Sequence, residues 1–231
     1  MNRVRLVIAL LSLLPLLAHA AGSAFLPSRA QFDALFPERI AFYSYEGFVE
    51  AVRQTPGFAD AGSDVERRQE MAAFLGQIAH ESDQLRAQRE YKRANWDNYC
   101  RADARLGCAH GQQYFGRGPI QLSWNYQYKA AGDFLGIDLW SDPDRVARDS
   151  TVAWRTALWY WMTQPGESKQ TSHAAIRQGA GFGATTRAIN GPLECDKPTD
   201  PDAKRKNARR ADFYKHASDL FGVPLLHPLG C

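Results

Sequence analysis

Two glutamates, Glu81 and Glu90, stand nine positions apart in the stretch QIAHESDQLRAQREYKRANWDNYC, residues 77–100. Paired carboxyl groups are the minimum equipment for hydrolysing a glycosidic bond: one gives a proton to the leaving oxygen, the other takes a proton from water. Roughly 6.5 to 9.5 Å apart, they leave room for a water on the far face of a sugar ring, the arrangement of an inverting glycosidase. Glu81 lies three residues beyond an apolar stripe of Met71, Phe74, Leu75 and Ile78 written at helical spacing. Its carboxyl is expected to face the apolar side, where desolvation favours the neutral, proton-donating form. The plainer alternative is a helix-terminal glutamate reaching into solvent. Glu90 cannot share that face if the helix continues, because nine residues at about 100° each put it on the opposite side, about 13 Å along the axis. The chain must therefore bend after Glu81 if the pair is to cooperate. Otherwise Glu90 is one exposed charge among Arg86, Arg89, Lys92 and Arg93.

A second stretch, YFGRGPIQLSWNYQY at 114–128, has the chemistry to hold a sugar. Gly116, Gly118 and Pro119 constrain the backbone, and Gln121, Ser123, Asn125 and Gln127 then interleave with Trp124, Tyr126 and Tyr128. Aromatic faces beside amides and hydroxyls match a carbohydrate ring, apolar on its faces and polar at its rim. The same pattern also describes a buried strand and turn.

Helices must position these groups. Ser63 and Glu66 form a capping box in front of the Met71 stripe. A helix is predicted from Ser150 through Trp154, Leu158 and Trp161 until Pro165 stops it, with others over 31–36, 45–54, 126–135, 173–178 and 204–220. Alternating strand patterns are scarce, and glycine, proline and aromatic residues fill the connections. The pattern predicts a mainly α protein with long loops, one domain without repeats.

Composition narrows the class further. Arg3 and Arg5 precede LVIALLSLLPLLAHA, which has the charged start, apolar middle and small-residue end of a secretory signal over residues 1–20, leaving 21–231 as the domain. The apolar run holds Pro15 and is shorter than a membrane span, so no membrane anchor is expected. Removing it leaves a nearly neutral chain, which does not favour nucleic acid as a partner, and KRKNARR at 204–210 reads as a solvated helix face. Cys100, Cys108, Cys195 and Cys231 suit an oxidising compartment, extracellular or periplasmic. Of the three pairings they allow, Cys100 with Cys108 and Cys195 with Cys231 is preferred: a small loop, and a C-terminus tied back to the body. Cys108 and His110 lack a second ligand pair, so no metal is expected. His173, His216 and His227 likewise show no ligand spacing. Trp154, Trp159 and Trp161 read as core, whereas Trp96 and Trp124 are open between packing and a sugar platform.

The segments FLGQIAHES, YFGRGPIQLSWNYQYKAAGDFLGIDL, VAWRTALWYWMT, SHAAI, GFGATTRAINGPLEC and RRADFYK resemble, in order, the motifs of the family 19 chitinases, in particular their compact bacterial and class IV forms. The resemblance runs from about Phe32 to Cys231. It implies a lysozyme-like, two-lobed helical domain with a central cleft, and inverting endo-hydrolysis of β-1,4-linked N-acetylglucosamine polymers without a cofactor. Carried over by position, Glu81 matches the general acid, Glu90 the general base, and Ser123 the residue that helps hold the attacking water. Gln121, Tyr126, Lys169, Ile189 and Asn190 fall where the family contacts sugar, with His80 beside the acid and Trp124 among the substrate-binding candidates. Glu194 and Arg210 match a charged network behind the carboxylates, and Arg210 with the nearby arginines is expected to keep Glu90 ionised. One departure stands out: Ser82-Asp83-Gln84 replaces the family's usual Thr-Gly-Gly, and Asp83 is expected to raise the acid's pKa or to alter the sugar contacts at that rim. The expected partner is chitin or its oligosaccharides, met by a monomer. Peptidoglycan cleavage by the same chemistry and non-catalytic glycan binding are the alternatives.

Overall fold

The structure is a computed structural model that describes residues 23–102 and 106–231; the expected export signal at residues 1–20 lies outside the described residues. Eight α-helices follow one another among them: α1 Arg29–Leu35, α2 Tyr45–Arg53, α3 Asp64–Glu81, α4 Asn125–Leu135, α5 Ser150–Thr163, α6 Ser172–Arg177, α7 Phe182–Glu194 and α8 Pro201–Phe221. Two short 3-10 helices, Arg93–Tyr99 and Pro143–Ala147, complete the regular structure, and no extended strand occurs among the described residues. The protein is mainly α with long loops.

α3 is the axis of the fold. Ser63 caps it as the sequence predicts: its hydroxyl accepts from the Glu66 amide at 3.2 Å, and Glu66 Oε2 accepts from the Ser63 amide at 2.7 Å. The apolar stripe underestimates its burial, however, because every residue from Gln69 to Ala79 is enclosed. Polar Gln69, Glu70 and Gln77 are buried too, since α3 packs against α6, α7 and α8. The closest neighbour is α8. At Gly76 an added Cβ would come within 2.8 Å of the Tyr214 Cα, so only glycine lets the two backbones approach this far.

Asp149 caps α5 by accepting from the Val152 amide at 3.0 Å, which starts the helix where its apolar face begins. Trp154, Trp159 and Trp161 are all core residues, and Trp154 packs against Phe32, Phe48 and Phe74. Both preferred disulfides are present: Cys100–Cys108 closes a loop, and Cys195–Cys231 ties the end of α7 to the C-terminus. No helix among the described residues is long and apolar enough to cross a membrane.

Candidate active site

α3 ends at Glu81, and the chain turns there by an unusual route. Asp83, Gln84 and Leu85 have φ of 50°, 58° and 62°, three successive non-glycine residues in the left-handed region. Each such residue costs roughly 1–2 kcal/mol. The Ser82 hydroxyl holds the turn together, donating to the Ile78 carbonyl at 2.7 Å while accepting from the Leu85 amide at 2.8 Å. The chain therefore does bend after Glu81, the condition the sequence sets for Glu81 and Glu90 to cooperate. Gln84 makes no side-chain hydrogen bond, so Gln84→Gly is expected to raise stability by about 0.5–1 kcal/mol, relief of strain less the added freedom of the unfolded chain. Urea denaturation of the two proteins checks this, and a lower midpoint for the variant contradicts it.

Beyond the turn, a small antiparallel pairing arranges the second half of the site. Arg89 pairs with Arg117, which pairs in turn with Leu122. The Glu90 amide donates to the Gly116 carbonyl at 2.8 Å, and a Cβ on Gly116 would meet Gln121 Oε1 at 2.8 Å and Ser123 Oγ at 3.4 Å. Glycine at 116 thus leaves space for Gln121 and Ser123 beside the Glu90 segment. Arg117, almost fully buried, staples the pairing through Asp144 at 2.7 Å, the Gln113 carbonyl at 2.9 Å and the Tyr128 hydroxyl at 3.0 Å.

Glu81, Gln121, Ser123, Trp124, Ile189 and Asn190 line one cavity of about 250 Å³. Gln121 and Trp124 are themselves held at φ of 52° and 74°, strain concentrated where side chains face the cavity. A larger recess of about 560 Å³, reaching Tyr126 and Leu193, shares Gln127, Tyr160, Ile189 and Asn190 with the first, so the two form a continuous cleft. Burial and then the charge of Glu81 push the Tyr160 phenol up to about 12, which keeps it a neutral donor.

Behind Glu81 lies a buried ionic cluster. Arg210 of α8 grips Glu194 with two hydrogen bonds, Nε to Oε2 at 2.8 Å and Nη2 to Oε1 at 2.7 Å, and Nη2 is also 2.5 Å from Glu81 Oε1. The contact with Glu81 is an ion pair without an aligned hydrogen bond. Burial pushes Glu194 up, but the hydrogen bonds and charge of Arg210 outweigh it and hold its carboxyl below the ordinary value. Gln77 completes the cluster: its carbonyl accepts from Arg210 Nη1 at 2.7 Å, and its amide donates to Thr185 and Thr186 on α7.

Chitinase class I, glycoside hydrolase family 19, is the family whose model matches residues 29–231. The chain belongs to this family. It is 37% identical over 219 residues to endochitinase A2 of Pisum sativum, covering 82% of this chain and 64% of that protein. With chitinase 12 of Oryza sativa subsp. japonica it shares 38% identity over 245 residues, 91% of this chain and 74% of the other. Among solved structures, chitinase C from Streptomyces griseus HUT6037 aligns at a TM-score of 0.83 and 44% identity, over 88% of this chain and 79% of that one. The class IV family 19 chitinase of Zea mays aligns at 0.74 and 37% identity, over 87% and 94%. The lysozyme-like helical fold expected from the sequence is the one this family 19 member has.

Several expected site residues take other places in this family 19 chain. Glu90 is half-buried but does not line the cavity with Glu81; its Oε1 accepts from Asn95 Nδ2 at 3.0 Å and its Oε2 is buried without a hydrogen-bond partner. Burial, then Glu90, push the nearby Tyr99 phenol up to about 12. Arg210, expected to serve Glu90, contacts Glu81 because α8 crosses α3 at Gly76, four residues before His80. The arginines near Glu90 are engaged elsewhere, Arg86 with Glu38 and Asp83, Arg89 with Asp144. Lys169 is not in the cavity of Glu81 but lines a depression with Glu167 and Arg187, which also line the larger recess, so it stands at the outer end of the cleft. Tyr126 is 44% exposed in the outer recess, its ring stacked on Trp124. Asp83 is turned from the role expected of it, since its carboxylate is bound by Arg86, Arg209 and Tyr91. Gln77, Tyr160 and Asn95 were not anticipated. Gln77 was findable, because it stands one helical turn before Glu81 on the same face.

His80 does not line the cavity either. Burial, followed by the charge of Arg210, drives its pKa from 6.5 down to about 3, and Nδ1 has no partner. The folded protein keeps this imidazole neutral while the unfolded chain protonates it below about pH 6.5, so stability is full above that pH and declines toward pH 3. At up to about 1.4 kcal/mol per pH unit, about 2 kcal/mol is expected to be lost between pH 7 and pH 5. His80→Gln should flatten that decline in urea titrations at the two pH values; an equally steep decline in the variant contradicts the assignment.

Proposed function

We propose that the protein is an endo-chitinase that cuts β-1,4 links between N-acetylglucosamine units with inversion, Glu81 acting as general acid and Glu90 as general base. The observation that carries this reading is the setting of Glu81: at the end of a buried helix, on a sugar-sized cleft, with an arginine already neutralised by Glu194 behind it. The same guanidinium pairs with both carboxyl groups, so Glu194 offsets part of the charge that Arg210 presents to Glu81 while Arg210 holds Glu81 in place. As the glycosidic bond lengthens toward an oxocarbenium-like state, Glu81 gives its proton to the departing oxygen. Water enters from the opposite face. The Ser123 hydroxyl donates to the Gln121 carbonyl at 2.9 Å, which leaves its lone pairs to accept from that water, while Glu90, as the general base, takes the water's proton. Trp124 supplies an apolar platform for a ring face, and Gln121 and Asn190 bring amides to its rim.

The chain spans 64% of the pea relative's length, and the reading extends to residues 21–231 as one catalytic domain exported after loss of residues 1–20. Two disulfides support an extracellular or periplasmic setting. The test is to incubate the protein with N-acetylglucosamine hexamer and resolve product anomers by chromatography. Shorter oligomers released as the α-anomer are expected; β-anomers would refute inversion. An intact hexamer alongside cleared bacterial cell walls would move the substrate to peptidoglycan.

A further inference from the structure

Asp83 stands where glycine would be unstrained, at φ 50°, and its side chain bonds to the turn after Glu81, to the residue after Glu90 and to α8. Oδ1 accepts from Arg209 Nη2 at 2.8 Å, one residue from the Arg210 that holds Glu81, and from Arg86 Nη2 at 3.0 Å. Oδ2 accepts from the Tyr91 hydroxyl at 3.2 Å, and Tyr91 is the residue after Glu90. The Tyr91 side chain is 66% exposed, so core packing does little to fix it and the hydroxyl to Asp83 is its tether. On its other flank the Glu90 backbone is held by the Gly116 carbonyl and by Trp96 Nε1, which donates to the Glu90 carbonyl at 3.1 Å. Three anchors thus converge on one residue, and one of them runs through Asp83.

We infer that Asp83 is a positioning residue that latches the Glu90 segment, through Tyr91, to α8 and the turn after Glu81, and so sets the separation of the two carboxylates. A non-glycine residue kept in the left-handed region beside a cleft is the kind of local strain that persists where position matters. Aspartate is among the residues that tolerate it best. The arginines neutralise the carboxylate, and burial, though it opposes, is outweighed, so Asp83 stays ionised and remains an acceptor down to unusually low pH. The latch need not contribute much stability to matter, because displacing a reacting group by about 1 Å can lower a rate by roughly 10²-fold.

The inference rests on the assignment of Glu81 and Glu90 above, and the test separates the two. Hexamer kinetics of the full chain would be compared with Asp83→Gly, Tyr91→Phe and the double variant, together with hydrogen–deuterium exchange over residues 88–92. Glycine suits φ 50° and the Tyr91 ring is exposed, so neither single variant should unfold. Each is expected to lower kcat about tenfold with KM changed less than about twofold. The double variant should be no worse than Asp83→Gly alone, since that substitution already removes the Tyr91 contact along with those to Arg86 and Arg209. Exchange should quicken in all three, and Asp83→Asn, which keeps an acceptor for Tyr91, should recover much of the rate. An unchanged kcat in Tyr91→Phe, or losses that multiply in the double variant, overturns the latch. If the wild type turns over no hexamer, the catalytic assignment fails, and exchange alone decides: unaltered exchange in Tyr91→Phe then overturns the latch as well.

Discussion

Glu81→Gln is expected to lower kcat on N-acetylglucosamine hexamer by about 10²–10⁴-fold with little change in KM or in unfolding midpoint. The substitution keeps shape and removes only the exchangeable proton of an acid. Arg210 loses one of its partners but retains both hydrogen bonds to Glu194 and one to Gln77, so the cluster stays assembled. A second substrate separates the proposed roles of the two carboxylates. When the leaving group is a nitrophenol, which departs without being protonated, the loss in Glu81→Gln should shrink, because the missing acid has less to do. Glu90→Gln should show no such recovery, since activation of the attacking water is needed whichever group leaves. Equal losses on both substrates for Glu81→Gln would remove it from the role of acid, and wild-type turnover in that variant would remove it from the mechanism.

Arg210→Met is expected to cost about 3–5 kcal/mol of stability, the penalty for removing one partner of a buried ion pair. Glu194 is 4% exposed and Arg210 1%, so water cannot replace the lost guanidinium. Gln77 would lose a donor as well. For a chain of this size the melting temperature should fall by roughly 10 °C, at about 2–4 °C per kcal/mol. Removing both charges, Arg210→Met with Glu194→Gln, should recover much of the loss because the most deeply buried carboxylate, Glu194, is then gone and only the cleft-facing Glu81 is left without its arginine. Arg210→Lys should recover less, as an ammonium cannot reach both Glu194 oxygens and Gln77 with one planar fork. A single variant with wild-type melting would show that the cluster does not hold α3, α7 and α8 together.

What the sequence disclosed and what it hid follow from the range of the interactions involved. The start of α3 was readable because the Ser63–Glu66 cap is local, and the helix ended at Glu81 as the proposed chemistry required. α7 was not readable. Thr185 and Thr186 disfavour helix, and Asn190-Gly191-Pro192 has the composition of a turn; the helix indeed kinks at Asn190, with φ −147°, and survives through its packing on α8 and the Cys195–Cys231 bond at its end. The choice of Glu81 over Glu90 as the partner of Arg210 was hidden for the same reason, since it depends on where two helices cross. The three left-handed residues after Glu81 carry no glycine, so local chemistry gave no warning of the bend.

The tight crossing at Gly76 also bears on how the protein can diversify. Glu81 and Arg210 sit on the two helices that meet there, and a single methyl at the crossing would collide with backbone. Accepted changes should therefore be rare along that contact, whereas the Glu90 side, built from loops and partly exposed rings, has room for them. In a mutational library selected for altered oligosaccharide preference, survivors should cluster on the Glu90 side and around Tyr126 and Leu193, with positions 76 and 210 left untouched. The fold would then keep its acid as an inheritance and leave the opposite wall free to vary with the substrate.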